Sequence, residues 1–147
     1  MLIQNYQSTW VNDFNSIKEV IKEALGDIEI TIEHVGSTAI MNLAAQPIID
    51  IDIVHDKNES FEIIKKRLER LDYYHNGDKG IEGREVFKRD KLNEKHSILD
   101  SIKHHLYVCQ IQSEELHRHL AFRDYLIENE NDREKYEKIK YEIAAKE

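Results

Sequence analysis

Residues 47–54, Pro-Ile-Ile-Asp-Ile-Asp-Ile-Val, leave this chain few ways to fold. Isoleucines at 49, 51 and 53 fit the buried face of a strand, and Asp50 and Asp52 then share the other face. Two adjacent carboxylates on a mostly covered strand repel each other and lose hydration unless something positive neutralises them. A hard divalent cation, which takes one or two carboxylates together with phosphate oxygens, is the natural partner. Upstream, Gly36-Ser37 interrupts an apolar stretch with a residue pair suited to cradling phosphate. Taken alone, that pair reads as a strand-to-helix turn with a serine cap, and the aspartates alone as a solvent-facing strand edge. Their combination points instead toward a site for nucleotide chemistry, with Asp50 and Asp52 as metal ligands.

The rest of the chain bounds this reading. A length of 147 residues, 40% hydrophobic and 34% charged, suits one soluble mixed α/β domain spanning 1–147. The net charge of −8 argues against a general nucleic-acid or membrane-surface binder. Positive charge gathers locally, at Lys79, Arg84, Lys88, Arg89, Lys91 and Lys95, interleaved with Glu82, Glu85, Asp90 and Glu94. Such a run reads either as the rim of an anion site or as a solvated mixed-charge surface. The single cysteine, Cys109, excludes an internal disulfide framework and suits a reducing cytoplasm. The first residues lack a signal-peptide pattern, and no apolar stretch approaches a membrane span. The expected location is cytoplasmic.

Periodicity supplies the elements. Trp10, Phe14, Ile17, Ile21 and Leu25 form a helical stripe that ends near Gly26. Residues 28–35 alternate as a strand, residues 38–45 suit a short helix capped by Ser37 or Thr38, and residues 48–54 form the aspartate strand. Asn58 is the expected cap of a helix carrying Phe61, Ile64, Leu68 and Leu71. Strands are expected at 73–75, 84–89 and 104–111, followed by two helices separated near 129–132.

These motifs, in this order, resemble the GrpB-like family, a branch similar to the nucleotidyltransferase superfamily. The resemblance rests on the Trp10/Phe14 helix, His34-Val-Gly-Ser-Thr, Pro47-Ile-Ile-Asp-Ile-Asp, Gly80-Ile-Glu-Gly-Arg84, His104-His-Leu-Tyr-Val and Leu120-Ala-Phe-Arg-Asp-Tyr-Leu126. It implies a single-domain, nucleotidyltransferase-like mixed sheet of the α+β type, flanked by helices, with a helical C-terminus. It further implies that Gly36, Ser37 and Thr38 cradle phosphate and that Asp50 and Asp52 hold a divalent metal. The family's biochemical activity is itself poorly defined.

A third acidic ligand is usual in that superfamily, but residues 104–111 contain no carboxylate. His104 and His105 project to opposite faces, and the family pattern favours His104 as the third ligand or general base. Mg2+ or Mn2+ is the expected ion, with Zn2+ or Ni2+ as alternatives if an imidazole ligates. His34 is either a ligand contact or a structural histidine. Arg84 either forks onto a phosphate or solvates a turn. Arg123, whose i,i+1 neighbour Asp124 is not expected to meet it, reaches the sheet, the substrate or solvent. Where the family usually has Pro-Gly this chain has Met41-Asn42, and Gln46 replaces a usual lysine, removing one cation near the phosphate turn. The expected partners are a nucleoside triphosphate and a small-molecule acceptor. The competing reading is a non-catalytic nucleotide- or metal-binding module.

Overall fold

A computed structural model describes residues 2–89 and 95–146. Asp90, Lys91 and Glu94 of the mixed-charge run lie outside the described residues. The elements follow as α1 (Thr9–Leu25), β1 (Ile30–Val35), β2 (Ile49–His55), α2 (Ser60–Glu69), β3 (Tyr73–His75), β4 (Arg84–Arg89), β5 (His104–Gln110), α3 (Glu114–Glu128) and α4 (Glu130–Ala145). The strands form one mixed sheet in the order β1-β2-β5-β4-β3, in which only β2 and β5 run parallel. This is the expected mixed α/β domain, a central sheet flanked by helices.

The two faces differ because β2 alternates. Ile49, Ile51 and Ile53 are at most 1% exposed and pack with Trp10, Phe14, Ile17, Ile21 and Leu25 of α1 and Ile64 and Leu68 of α2. Each such buried side chain contributes about 1.5–3 kcal/mol of transfer free energy, so this face anchors the fold. The second face carries Asp50, Asp52 and Val54. The α3–α4 hairpin covers part of it, through Val54, Cys109 and Leu116 at one place and Ile40, Leu43 and Leu126 at another.

Some local expectations fail for identifiable reasons. Residues 38–45 form only one 3-10 turn, Ser37–Ala39, because Asn42 adopts a left-handed φ of 67° that a helix cannot include. Ser37 caps nothing; its Oγ accepts a bond from Lys140 instead. Glu59, without a side-chain cap, begins α2, while Asn58 Oδ1 accepts a bond from Gln110. Ser113 does cap α3, accepting from the Leu116 amide. Asn129 alone separates α3 from α4. Among the described residues no helix is long and apolar enough to cross a membrane.

Candidate functional site

Register decides which side chains meet the aspartates. Across the parallel β2–β5 pair, Asp50 lies opposite His105 and Asp52 opposite Tyr107. Strand alternation then places His105, Tyr107 and Cys109 on the aspartate face, and His104 and Leu106 on the isoleucine face. Across the antiparallel β1–β2 pair, Val35 faces Asp50 and Glu33 faces Asp52. Gly36 therefore follows immediately on Asp50's neighbour.

That neighbourhood is tight. Gly36 has φ 75°, and a Cβ on it would stand 2.4 Å from Asp50 Oδ2. Glycine is required twice over, by the left-handed backbone and by the carboxylate against it. Asp50 Oδ1 accepts a bond from His105 Nδ1 at 3.0 Å. Asp52 is fully buried, and its Oδ2 accepts from His119 Nδ1 of α3 at 2.7 Å. The opposite nitrogen of His119 stands 3.2 Å from Glu115 Oε1, one helical turn earlier. Asp52 Oδ1 has no hydrogen-bond partner among the described residues.

Burial raises the Asp52 pKa above the usual carboxylate range, against the opposing pull of His119. The bond to Asp52 raises the His119 pKa, favouring an imidazolium held between two carboxylates. Beside this pair, the Arg84 guanidinium lies 4.5 Å from the Tyr107 ring centroid, and its buried Nε has no hydrogen-bond partner among the described residues. From α4, Lys140 Nζ donates to Ser37 Oγ at 2.8 Å, and burial lowers its pKa. Gly36, Ser37, Asp50, His105, His119 and Tyr136 line a cavity of about 450 Å³, a size suited to a small ligand.

Several expected site residues are elsewhere. His104 does not face the aspartates: it is opposite Ile49, its Nδ1 donates to the Ile102 carbonyl at 2.7 Å, and its Nε2 lies 2.6 Å from Tyr73 Oη. Both ring nitrogens are thereby occupied, and burial lowers its pKa. The structure corrects His104 as a ligand or base at the aspartate pair and brings His105 there instead. His34 also points to the apolar face, stacked on Phe14 at 4.7 Å with Nε2 on Thr38 Oγ1 at 3.0 Å. Burial lowers its pKa to about 4. Thr38 is 1% exposed and donates onward to the Ile48 carbonyl, so His34 and Thr38 brace the loop behind the cavity.

Arg123 reaches the sheet, bonding Glu33 at 2.8 Å and the His34 carbonyl at 3.1 Å. Contrary to expectation it also bonds Asp124, at 2.9 Å, because its long side chain folds back along the helix. It ties α3 to β1 and does not line the cavity. Gly36, Ser37 and Asp50 line one cavity, Asp52 lies buried two residues further along β2, and Arg84 sits beside Tyr107. The unforeseen members are His105, Tyr107, Glu115, His119 and Lys140. Residues 115, 119, 122 and 126 recur at helical spacing, which marks one inward stripe of α3 and was the available signal for His119.

Among the described residues no group of three His, Cys, Asp or Glu side chains is arranged to hold a metal ion. A dedicated protein cage is therefore absent there.

Comparison with known proteins gives a consistent pattern. A family model described as GrpB protein matches residues 1–147. UPF0157 protein YqkA of Bacillus subtilis is 33% identical over 140 residues, which are 95% of this chain and 38% of that protein. Glutamate-rich protein GrpB of Alkalihalophilus pseudofirmus is 30% identical over 147 residues, 99% of this chain and 82% of that protein. The crystal structure of conserved protein GrpB from Enterococcus faecalis superposes with a TM-score of 0.80 at 31% identity, covering 98% of this chain and 83% of that one. The chain thus spans little more than a third of the Bacillus protein's length but most of the other two.

Proposed function

The chain belongs to the GrpB family, and on that premise we propose that it is a cytoplasmic, metal-dependent nucleotidyltransferase-like enzyme acting on a nucleoside triphosphate and a small acceptor. One observation carries the reading. The Asp50 carboxylate packs against Gly36 at a cavity lined by Ser37, whose hydroxyl already accepts the Lys140 ammonium. A carboxylate, a glycine turn and a hydroxyl around one hollow, with an ammonium bonded to that hydroxyl, are parts that bind a metal-complexed phosphoanhydride.

Lys140 supplies the cation that Gln46 does not, from a helix distant in sequence. In the proposed complex its ammonium turns from Ser37 onto a phosphate oxygen. Asp50 and Asp52 would hold Mg2+ or Mn2+, which neutralises phosphate charge when bound. The unpartnered Asp52 Oδ1 supports that assignment. With His104 on the other face, the imidazole-ligated alternatives, Zn2+ and Ni2+, lose their expected ligand.

His105 has its Nδ1–H fixed on Asp50, an arrangement that orients the ring toward the cavity for proton transfer. In the proposed reaction the acceptor oxygen bonds to the α-phosphorus while the bond to pyrophosphate breaks. The acceptor's proton passes to His105. Positioning and charge neutralisation provide most of the acceleration.

The second reading, a binding module without turnover, has one observation in its favour. Each aspartate already carries a hydrogen-bonded histidine, so both carboxylates have a partner without a cation. Pyrophosphate release from ATP, GTP, CTP and UTP with Mg2+ or Mn2+, paired with calorimetric titration of the same nucleotides, separates the readings. Metal-dependent release in the presence of an acceptor supports the enzyme. Metal-dependent binding with no release under any acceptor supports the module. Absence of nucleotide binding overturns the enzyme, and absence of Mg2+ and Mn2+ binding as well overturns the module.

A further inference from the structure

A second cavity of about 760 Å³ opens at β4 and β5 and draws its lining from both faces of the sheet, Arg84, Lys88 and Tyr107 from the aspartate face and Phe87, His104 and Leu106 from the other. His105 and Tyr107 line both hollows, so the two adjoin through the pair of residues that flank the aspartates.

The lining of this second cavity is cationic in a protein of net charge −8. Lys79, Arg84, Lys88 and Lys103 contribute four positive charges. None of them is ion-paired among the described residues. Asp100 is the one lining carboxylate there, and Arg89 holds it with two bonds of 3.0 and 3.1 Å. Strand alternation puts Arg84 and Lys88 on the aspartate face, and the buried Arg84 Nε has no acceptor among the described residues. Like charges gathered in one concavity raise each other's energy unless an anion settles among them.

We propose that this cavity is the subsite for a multiply charged small anion, the second substrate of the reaction. The second-substrate role rests on the nucleotidyltransferase reading; anion binding by the cavity does not. Phosphomonoesters and polycarboxylates share the required chemistry, since guanidinium and ammonium groups bind either oxyanion. An anion seated there has its neighbouring groups directed past His105 toward Asp50, which is where an acceptor must lie.

The test uses the full chain titrated with inorganic phosphate and, separately, with citrate at constant ionic strength, followed by amide NMR shifts. Shifts concentrated at Arg84, Lys88, Lys103 and His105 are expected, and the tighter of the two anions sets the substrate class. The exposed double variant Lys88→Glu/Lys103→Glu is expected to bind at least tenfold more weakly with an unchanged melting temperature. Asp50→Asn is expected to keep anion binding. Equal affinity in the double variant, or shifts confined to Ser37 and Gly36, overturns the subsite. So does displacement of the anion by ATP with Mg2+, which would assign the cavity to the nucleotide's own phosphates. If ATP fails to bind while phosphate still binds at Arg84 and Lys88, the nucleotide reading falls and the anion cavity stands.

Discussion

His119 bridges two carboxylates, with Nδ1 2.7 Å from Asp52 Oδ2 and Nε2 3.2 Å from Glu115 Oε1. One imidazole from α3 thus holds the most deeply buried acid of the sheet and fixes the helix over it. Removing it leaves Asp52 with neither oxygen bonded, a cost of about 3 kcal/mol for a broken buried pair. His119→Ala is expected to lower stability by that amount in urea denaturation. Asp52→Asn in the same background is expected to recover part of the loss, because a neutral amide needs less compensation.

The same bridge gives a pH dependence with a definite sign. The His119 pKa is raised by Asp52, so its stabilising contribution is full below the ordinary histidine value of 6.5. It fades as pH rises through the raised folded value. Denaturation midpoints measured as pH rises above 6.5 should fall in the wild type and fall less in His119→Ala.

His34 acts oppositely. Burial against Phe14 depresses its pKa from 6.5 to about 4, so the unfolded chain takes up a proton that the folded one refuses. Stability is expected to drop as pH falls from 6.5 toward 4, by about 3 kcal/mol at most for a shift of this size. His34→Gln, which can still bond Thr38, should flatten that acid limb. An unchanged acid limb would mean that other groups carry it.

Gly36→Ala meets two obstacles, a left-handed φ and the Asp50 carboxylate. The expected cost is about 2 kcal/mol or more. Adding Asp50→Ala removes the colliding oxygen, so the double variant should be more stable than additivity predicts, by about 1 kcal/mol. Simple additivity in a double-mutant cycle would show that Asp50 does not press on Gly36.

The two adjacent histidines of β5 should separate cleanly. His104→Ala strips a buried ring from between Tyr73 and the Ile102 carbonyl and is expected to cost about 2–3 kcal/mol. It should leave metal-dependent nucleotide binding unchanged. His105→Ala removes a half-exposed ring, is expected to cost under 1 kcal/mol, and should abolish turnover. The reverse pattern would restore His104 to the site.

What the sequence disclosed follows from the range of each signal. The aspartate face of β2 was legible because alternation is local, and α1 because five apolar residues repeat at helical spacing. Choosing between His104 and His105 needed the β2–β5 register, which two distant segments set only on pairing. His119 and Lys140 arrive from helices 67 and 103 residues beyond their partners Asp52 and Ser37, so a helical stripe can turn His119 inward but no local pattern names either partner. The loop expected as a helix was misjudged because Asn42 reads as an ordinary helix residue until its left-handed conformation is known.

Calorimetric titration of ATP into the wild type and Asp50→Asn, each with and without Mg2+, tests the central claim most directly. The wild type should bind ATP only with the cation, and the variant should lose that binding at an unchanged or higher melting temperature. Equal, cation-dependent affinity in Asp50→Asn would contradict the account.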